Sequence, residues 1–181
     1  MGSSTDLYQR NVEPHWYALH TRYRHEKKVE TRLKDKKITS YLPLNTVYRR
    51  WSDRYKKVEE PLFSCYVFVW IALRDRLPVL QTDGVVNLVS FNGIPATISQ
   101  KQIDAIRRVL ERGVEVGHAS YFTLGEKVRV IRGPLHGLEG TLVCQKNNHR
   151  LIITVDSIKQ AVSIEIDPDD LEIIGESRVS S

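Results

Sequence analysis

Six histidines, two cysteines and one carboxylate cluster are the residues most capable of chemistry, and their spacing argues against catalysis. His15, His20, His25, His118, His136 and His149 share no close metal-ligand spacing with one another or with a cysteine. Cys65 and Cys144 lie in apolar, strand-like runs, where a reduced, buried thiol is expected and its thiolate is suppressed. Asp167-Pro-Asp-Asp170 reads as a solvated turn before a last strand, since calcium requires a loop of alternating oxygen ligands. There is no phosphate-binding glycine loop, no GxSxG and no dinucleotide fingerprint. No enzyme activity, metal or cofactor is expected, and what remains is the chemistry of binding.

Two features carry that chemistry. Phe63, Tyr66 and Phe68 sit in the run Pro61-Leu-Phe-Ser-Cys-Tyr-Val-Phe-Val69, which is apolar on both faces of a strand. Such a run is either a fully buried central strand or one that offers side chains to a partner groove. The second feature is charge. The 181 residues carry 27 Lys+Arg against 22 Asp+Glu. Up to Arg112 there are 20 basic and 12 acidic residues, a net of +8; beyond it there are 7 and 10, a net of −3. This asymmetry suggests two modules with different partners, the basic one suited to phosphates and the acidic one to protein.

The elements that must position these residues follow from periodicity. Trp16–Thr21 reads as a strand, and residues 24–36 as an amphipathic helix with Val29 and Leu33 on its buried face and Glu26, Glu30 and Lys34 on its charged face. Ile38–Tyr48, with Pro43 implying an edge or a bend, and Val58–Ile71 read as strands around a polar, basic turn, Arg49–Lys57. A short helix over Ala72–Gln81 contains Pro78; Val85–Phe91 is a strand turned by Asn92-Gly93. Ser99–Arg112 is the clearest helix, with Ile103, Ile106, Val109 and Leu110 on one stripe and Gly113 as its stop. Beyond it come only strands: Lys127–Arg132, Gly140–Lys146, Leu151–Val155, Gln160–Ile166 and Leu171–Ile174. The fold class is α+β: an antiparallel sheet with helices over residues 14–112, a linker at 113–122, and a small five-stranded barrel at 123–175. Flexible ends are expected at 1–13 and 176–181. No apolar run approaches the roughly 20 residues of a membrane span, and the N-terminus lacks the pattern of a secretory signal. With sparse cysteine, this makes a cytoplasmic protein the expectation.

Together these residues resemble a known family. Trp16-Tyr17, Glu26-Lys27, the run Pro61–Val69 and Gly125-Glu-Lys-Val-Arg-Val-Ile-Arg-Gly-Pro-Leu-His-Gly-Leu-Glu-Gly-Thr-Leu-Val143 are similar to the NusG family of transcription elongation factors. The first module resembles its NGN domain and the second its KOW domain, in the family's order, over residues 14–175. Gly140 falls where the family has a tight glycine turn between strands. Tyr41-Leu-Pro43 and Arg50-Trp-Ser-Asp-Arg54 resemble the specialised RfaH and UpxY branch, which acts on long operons. The sequence departs from the family at Ser64-Cys65, where many members have Pro-Gly. It departs again at Leu77-Pro78, where the RfaH branch has a His-Thr stretch directed at the polymerase gate loop.

The resemblance implies an antitermination factor that grips the clamp helices of the largest RNA polymerase subunit and suppresses pausing. A housekeeping factor with global Rho-linked action, or a KOW-type RNA-binding protein, are the alternatives. The resemblance implies Ala18, His20, Phe63, Tyr66 and Phe68 at the clamp-helix site. It implies Arg22, Arg24, Lys28, Arg32, Arg49, Arg50 and Arg54 against non-template or upstream DNA, with Trp51 or Tyr55 stacking on a base. Ile158, Lys159 and Gln160 would contact Rho, or NusE and through it the ribosome. A monomer without membrane contact is expected. Some RfaH-type members hold the second domain as a helical hairpin. Here its β-branched residues and Gly133-Pro134 favour strands.

Overall fold

The computed structural model describes residues 9–51, 54–119, 125–145 and 148–176. The chain divides into two compact units, Met1–Ser99 and Gln100–Ser181. Among the described residues no helix is long and apolar enough to cross a membrane. The expected flexible ends lie largely outside the described residues, although residues 9–12 are helical and Glu176 closes the last strand.

The first unit is built on an antiparallel sheet in which β5 (Tyr66–Ile71) lies between β2 (Ser40–Tyr41) and β1 (His15–Thr21), and β1 is followed by β6 (Val85–Leu88). A short strand, β9 (Thr97–Ile98), also pairs with β1. Side chains alternate across the pleat. Tyr17 and Leu19 of β1 join Val67, Val69 and Ile71 of β5 on one face, and helix α1 (Glu26–Asp35) covers it with Val29 and Leu33. That buried face is the core. Glu30 and Lys34 form the expected i,i+4 pair at 2.9 Å, with Lys34 exposed and Glu30 partly buried. Glu26 departs from expectation: it is buried, and its carboxylate accepts the Cys65 amide at 2.7 Å.

Three runs read as single strands are divided. Pro43 cannot donate to a ladder, so Ile38–Tyr48 divides into β2 and β3 (Leu44–Trp51). Val58–Ile71 divides at a turn over residues 62–65, between β4 (Arg54–Pro61) and β5. The turn is possible because Cys65 takes φ 66, its amide is held by Glu26, and its carbonyl accepts the Thr21 amide at 2.8 Å. Val85–Phe91 divides into β6 and β7 (Ser90–Phe91), which pairs with β8 (Ile94–Pro95) through Asn92-Gly93, both at positive φ as a tight hairpin requires. The short helix is a 3₁₀ turn, Leu73–Asp75, running into α2 (Arg76–Leu80), with Pro78 in the first turn where its missing N–H costs least. The basic segment Arg49–Lys57 is not a turn for most of its length. It is the distal half of a β3–β4 ribbon paired from Leu44↔Pro61 to Trp51↔Arg54.

The second unit is a six-stranded antiparallel, barrel-like sheet in the order β10-β14-β13-β12-β11-β15. The five expected strands are present as β11 (Glu126–Val130), β12 (Glu139–Gln145), β13 (Asn148–Val155), β14 (Gln160–Glu165) and β15 (Leu171–Glu176). The sixth, β10 (Val116–Ala119), lies inside the segment expected as a linker and pairs with β14. Helix α3 (Gln100–Glu111) belongs to this unit, whereas the periodicity placed it with the first module. Its stripe of Ile103, Ile106 and Val109 is buried. Gln102 donates to the Thr154 carbonyl and to Asp156, and Arg108 donates to the His136 carbonyl. Gly113, at φ 64, ends the helix as expected. Gly140 is not in a turn: it sits inside β12 opposite Val128.

Candidate functional site

The second face of the first unit's sheet gathers the aromatic residues. Antiparallel pairing sets Trp16 opposite Trp70, Ala18 opposite Phe68 and His20 opposite Tyr66. Ring centroids are 5.6 Å apart for Trp16–Trp70 and 5.7 Å for His20–Tyr66. Phe63, from the turn before β5, stands edge-on to Phe68 at 6.0 Å, and Tyr41 of β2 stacks on Phe68 at 6.3 Å. Thus Ala18, His20, Phe63, Tyr66 and Phe68 all meet on this face. Tyr41 and Trp16 belong to the same layer, and only strand register reveals it.

Burial divides the five. Ala18 and Phe68 are fully buried, and Phe63 is 3% exposed. His20 and Tyr66 are half-buried and present the accessible rings. For Val67, Phe68 and Val69 the buried-central-strand alternative is therefore the one observed, while Tyr66 offers itself outward. Within the layer Phe63 and Phe68 are buried, and the His20–Tyr66 pair is its more accessible part.

Cys65 lies in the turn that carries Phe63. Burial pushes its thiol up, and the Glu26 carboxylate adds to the shift. Its backbone sits in the left-handed region, which disfavours any side chain with a Cβ. Glycine, which has no Cβ, fits that conformation. Cys65→Gly should raise stability by about 0.5–1 kcal/mol, or about 2–6 °C in Tm. A thermal melt that falls instead would mean that the thiol's packing outweighs the backbone relief.

The basic residues separate into two groups. Arg22 and Arg32 converge on Asp83, at 3.5 and 2.8 Å, and Arg32 also donates to the Asp83 carbonyl. These two fasten the end of β1 and helix α1 to the turn before β6. Arg24, at φ 61, lays its guanidinium over Tyr23 at 5.2 Å, and Lys28 is exposed on the helix. On the ribbon, Arg49 makes a bidentate contact with Glu60, 3.0 and 2.8 Å. Those hydrogen bonds hold the Glu60 carboxyl below the usual carboxylate range and raise Arg49. Arg50 and Arg54 are exposed, as are Lys56 and Lys57. The Trp51 side chain lies outside the described residues; Tyr55 is 70% exposed.

In the second unit, Ile158 is 5% exposed and ends a 3₁₀ turn, Asp156–Ile158, so its side chain belongs to the core rather than to a contact surface. Lys159, at φ 53, and Gln160 are exposed beside it. Asp167 caps the turn Pro168–Asp170 by accepting the Asp169 amide at 3.0 Å, the solvated turn expected of that cluster. A cleft of about 690 Å³ lies between α3 and the sheet, lined by Lys101, Arg108, Lys127 and Glu139 among others. Among the described residues no group of three or more His, Cys, Asp or Glu is placed to hold a metal ion.

Comparison with known proteins bears on the family and the fold. The family model for transcription termination factor NusG matches residues 14–107. The transcription termination/antitermination protein NusG of Lactococcus lactis is 27% identical over 173 residues, covering 88% of this chain and 92% of that protein. The protein of that name from Halalkalibacterium halodurans is 28% identical over 182 residues, covering 90% and 100%. Among solved structures, one described as domain interaction in Thermotoga maritima NusG is similar in fold. Its TM-score is 0.53 at 20% identity, and the match spans 91% of this chain and 99% of that one. With an NGN-type sheet, a KOW-like second unit and a family match over more than half its length, the chain belongs to the NusG family of transcription factors.

Proposed function

We propose that this protein binds RNA polymerase during elongation through the aromatic face of its first sheet and suppresses pausing or termination in the cytoplasm. The observation that carries the reading is the convergence of Ala18, His20, Phe63, Tyr66 and Phe68 on one sheet face, with Tyr66 and His20 outermost. Aromatic anchors supported by buried neighbours dominate interface energetics, and the tip of the clamp helices is the partner that the family resemblance supplies. The N-terminal module, residues 14–112 by sequence, would hold polymerase. Arg24, Lys28, Arg50 and Arg54 would face non-template or upstream DNA, and Lys159 and Gln160 of the KOW module would meet Rho or NusE. Arg22 and Arg32 contribute less net charge, because they share Asp83.

Tyr66 is the clean probe, since it is accessible where Phe63 and Phe68 are not. Tyr66→Ala should weaken association with core polymerase by about 1–2 kcal/mol, roughly tenfold, without lowering Tm. Co-purification equal to wild type would remove the aromatic face from the polymerase contact.

An operon-specific role is the finer form of this reading. Its support is the resemblance of Tyr41-Leu-Pro43 and Arg50–Arg54 to the specialised branch. A genome-wide polymerase occupancy profile tests it: effects confined to a few long operons favour the specialised form, and uniform effects the housekeeping one.

A further inference from the structure

Helix α3 lies against β13, where Gln102 donates to the Thr154 carbonyl at 3.2 Å. Strand register sets Lys127 of β11, Thr141 of β12 and Ile152 of β13 in one row across the sheet. Thr141 and Ile152 are buried, whereas Lys127 is exposed. Lys127 and Ile152 line the cleft of about 690 Å³ beside α3, a size within the roughly 300–1,000 Å³ typical of ligand clefts. Its apolar part comes from Ala105, Ile152 and Ile174, the last of which is 40% exposed.

The charged groups of this cleft are unequally engaged. Glu139 accepts two hydrogen bonds from Arg129, at 3.0 and 2.8 Å. Asp104 accepts one from the Gln100 side-chain amide at 2.7 Å. Lys101 and Arg108 come from α3, and Lys127 comes from the sheet. Arg108 gives one N–H to the His136 carbonyl, which leaves its charge unmet. Among the described residues no carboxylate is paired with Lys101, Arg108 or Lys127. The cleft is therefore cationic, although the chain beyond Arg112 is net −3.

We infer that this cleft is a docking groove for a short acidic, aliphatic-rich peptide segment of a partner protein. Its leucine-like side chains cover Ala105, Ile152 and Ile174, and its carboxylates meet Lys101, Arg108 and Lys127. Charge complementarity names the occupant. Lys101 and Arg108 are two helical turns apart, about 10 Å along the axis, so they suit a chain with more than one carboxylate better than a single ion. A nucleic-acid strand fits less well, because the described lining holds no aromatic ring on which a base could stack. An acidic module also repels a long polyanion. The site goes beyond the contacts proposed above: none of its residues belongs to the aromatic face, the basic first module or the Ile158–Gln160 loop.

The test uses the full chain and a fluorescein-labelled peptide in which Glu and Leu alternate, read by anisotropy. Two control peptides replace every Glu by Gln or every Leu by Ser, and labelled oligo(rU) is a fourth probe. The Glu-Leu peptide should bind at least about tenfold more tightly than either control, with an affinity that falls as salt rises. Lys101→Glu with Lys127→Glu changes two exposed side chains and should lower that affinity about tenfold or more, whereas the Arg pair retains it. Lys37→Glu with Lys57→Glu makes the same change in net charge within the first unit and should leave peptide binding as in wild type. Thermal melts of every variant should match wild type. The peptide controls read the site on the unaltered protein, so they decide the matter even if a variant fails to fold. No binding of the Glu-Leu peptide, equal binding of either control peptide, or equal loss from the two charge-reversed pairs would each overturn the inference. Tighter binding of oligo(rU) than of the peptide, lost in the Lys101–Lys127 pair, would make the cleft an RNA site and overturn it too.

Discussion

Phe63→Ala is expected to destabilise the first unit by about 3 kcal/mol, in the range for losing a buried phenylalanine. The side chain is 3% exposed and packs edge-on against Phe68, itself fully buried beneath the sheet face. Removing it leaves a cavity next to the turn over residues 62–65, whose geometry depends on Cys65 and Glu26. Phe63→Leu fills most of that space and should cost about 1 kcal/mol. Thermal or denaturant unfolding of both variants, beside Tyr66→Ala, separates support from contact. The Phe63 pair should move the unfolding midpoint, and Tyr66→Ala should move polymerase affinity. A Phe63→Ala protein that melts like wild type yet fails to bind polymerase would put this ring in the interface instead.

The second large effect is expected at Gly140. A Cβ built there would meet the Ile152 carbonyl oxygen at 2.6 Å and Leu151 Cδ1 at 2.8 Å. The oxygen belongs to the neighbouring strand β13, so it cannot swing aside as a side chain does. Gly140→Ala therefore has to push apart two paired strands, at a cost of about 2–3 kcal/mol. A unit of this size has little reserve, and its midpoint should fall by about 10–20 °C. Hydrogen exchange by residue should show protection lost over 125–176 and retained in the first unit. Unchanged protection in β12 and β13 would show that the strands can accommodate the methyl group. The glycine is required here by close approach rather than by a turn.

These two sites show where local pattern suffices and where it does not. The strands from Glu126 to Glu176 and the helices around Val29 and Ile106 were legible because their signals are short in range. β-branched runs, a 3.6-residue apolar stripe and Gly or Asx-Pro punctuation act within a few residues. The family motifs were legible for the same reason. The turn over residues 62–65 was not, because its stabilising partner, Glu26, lies 39 residues away and Cys65 gives no glycine signal. Nor could charge alone tell that Arg22 and Arg32 would be tied to Asp83 while Arg50 and Arg54 stayed exposed. The stripe Ile103–Ile106–Val109 announced that α3 must bury a face but not against which unit. Residue types and their periods thus determined most of the elements and the aromatic and basic inventory, and the motifs carried the resemblance to the family. Tertiary structure alone decided which aromatics are support and which are surface, because strand register and long-range hydrogen bonds join residues that share no local signal.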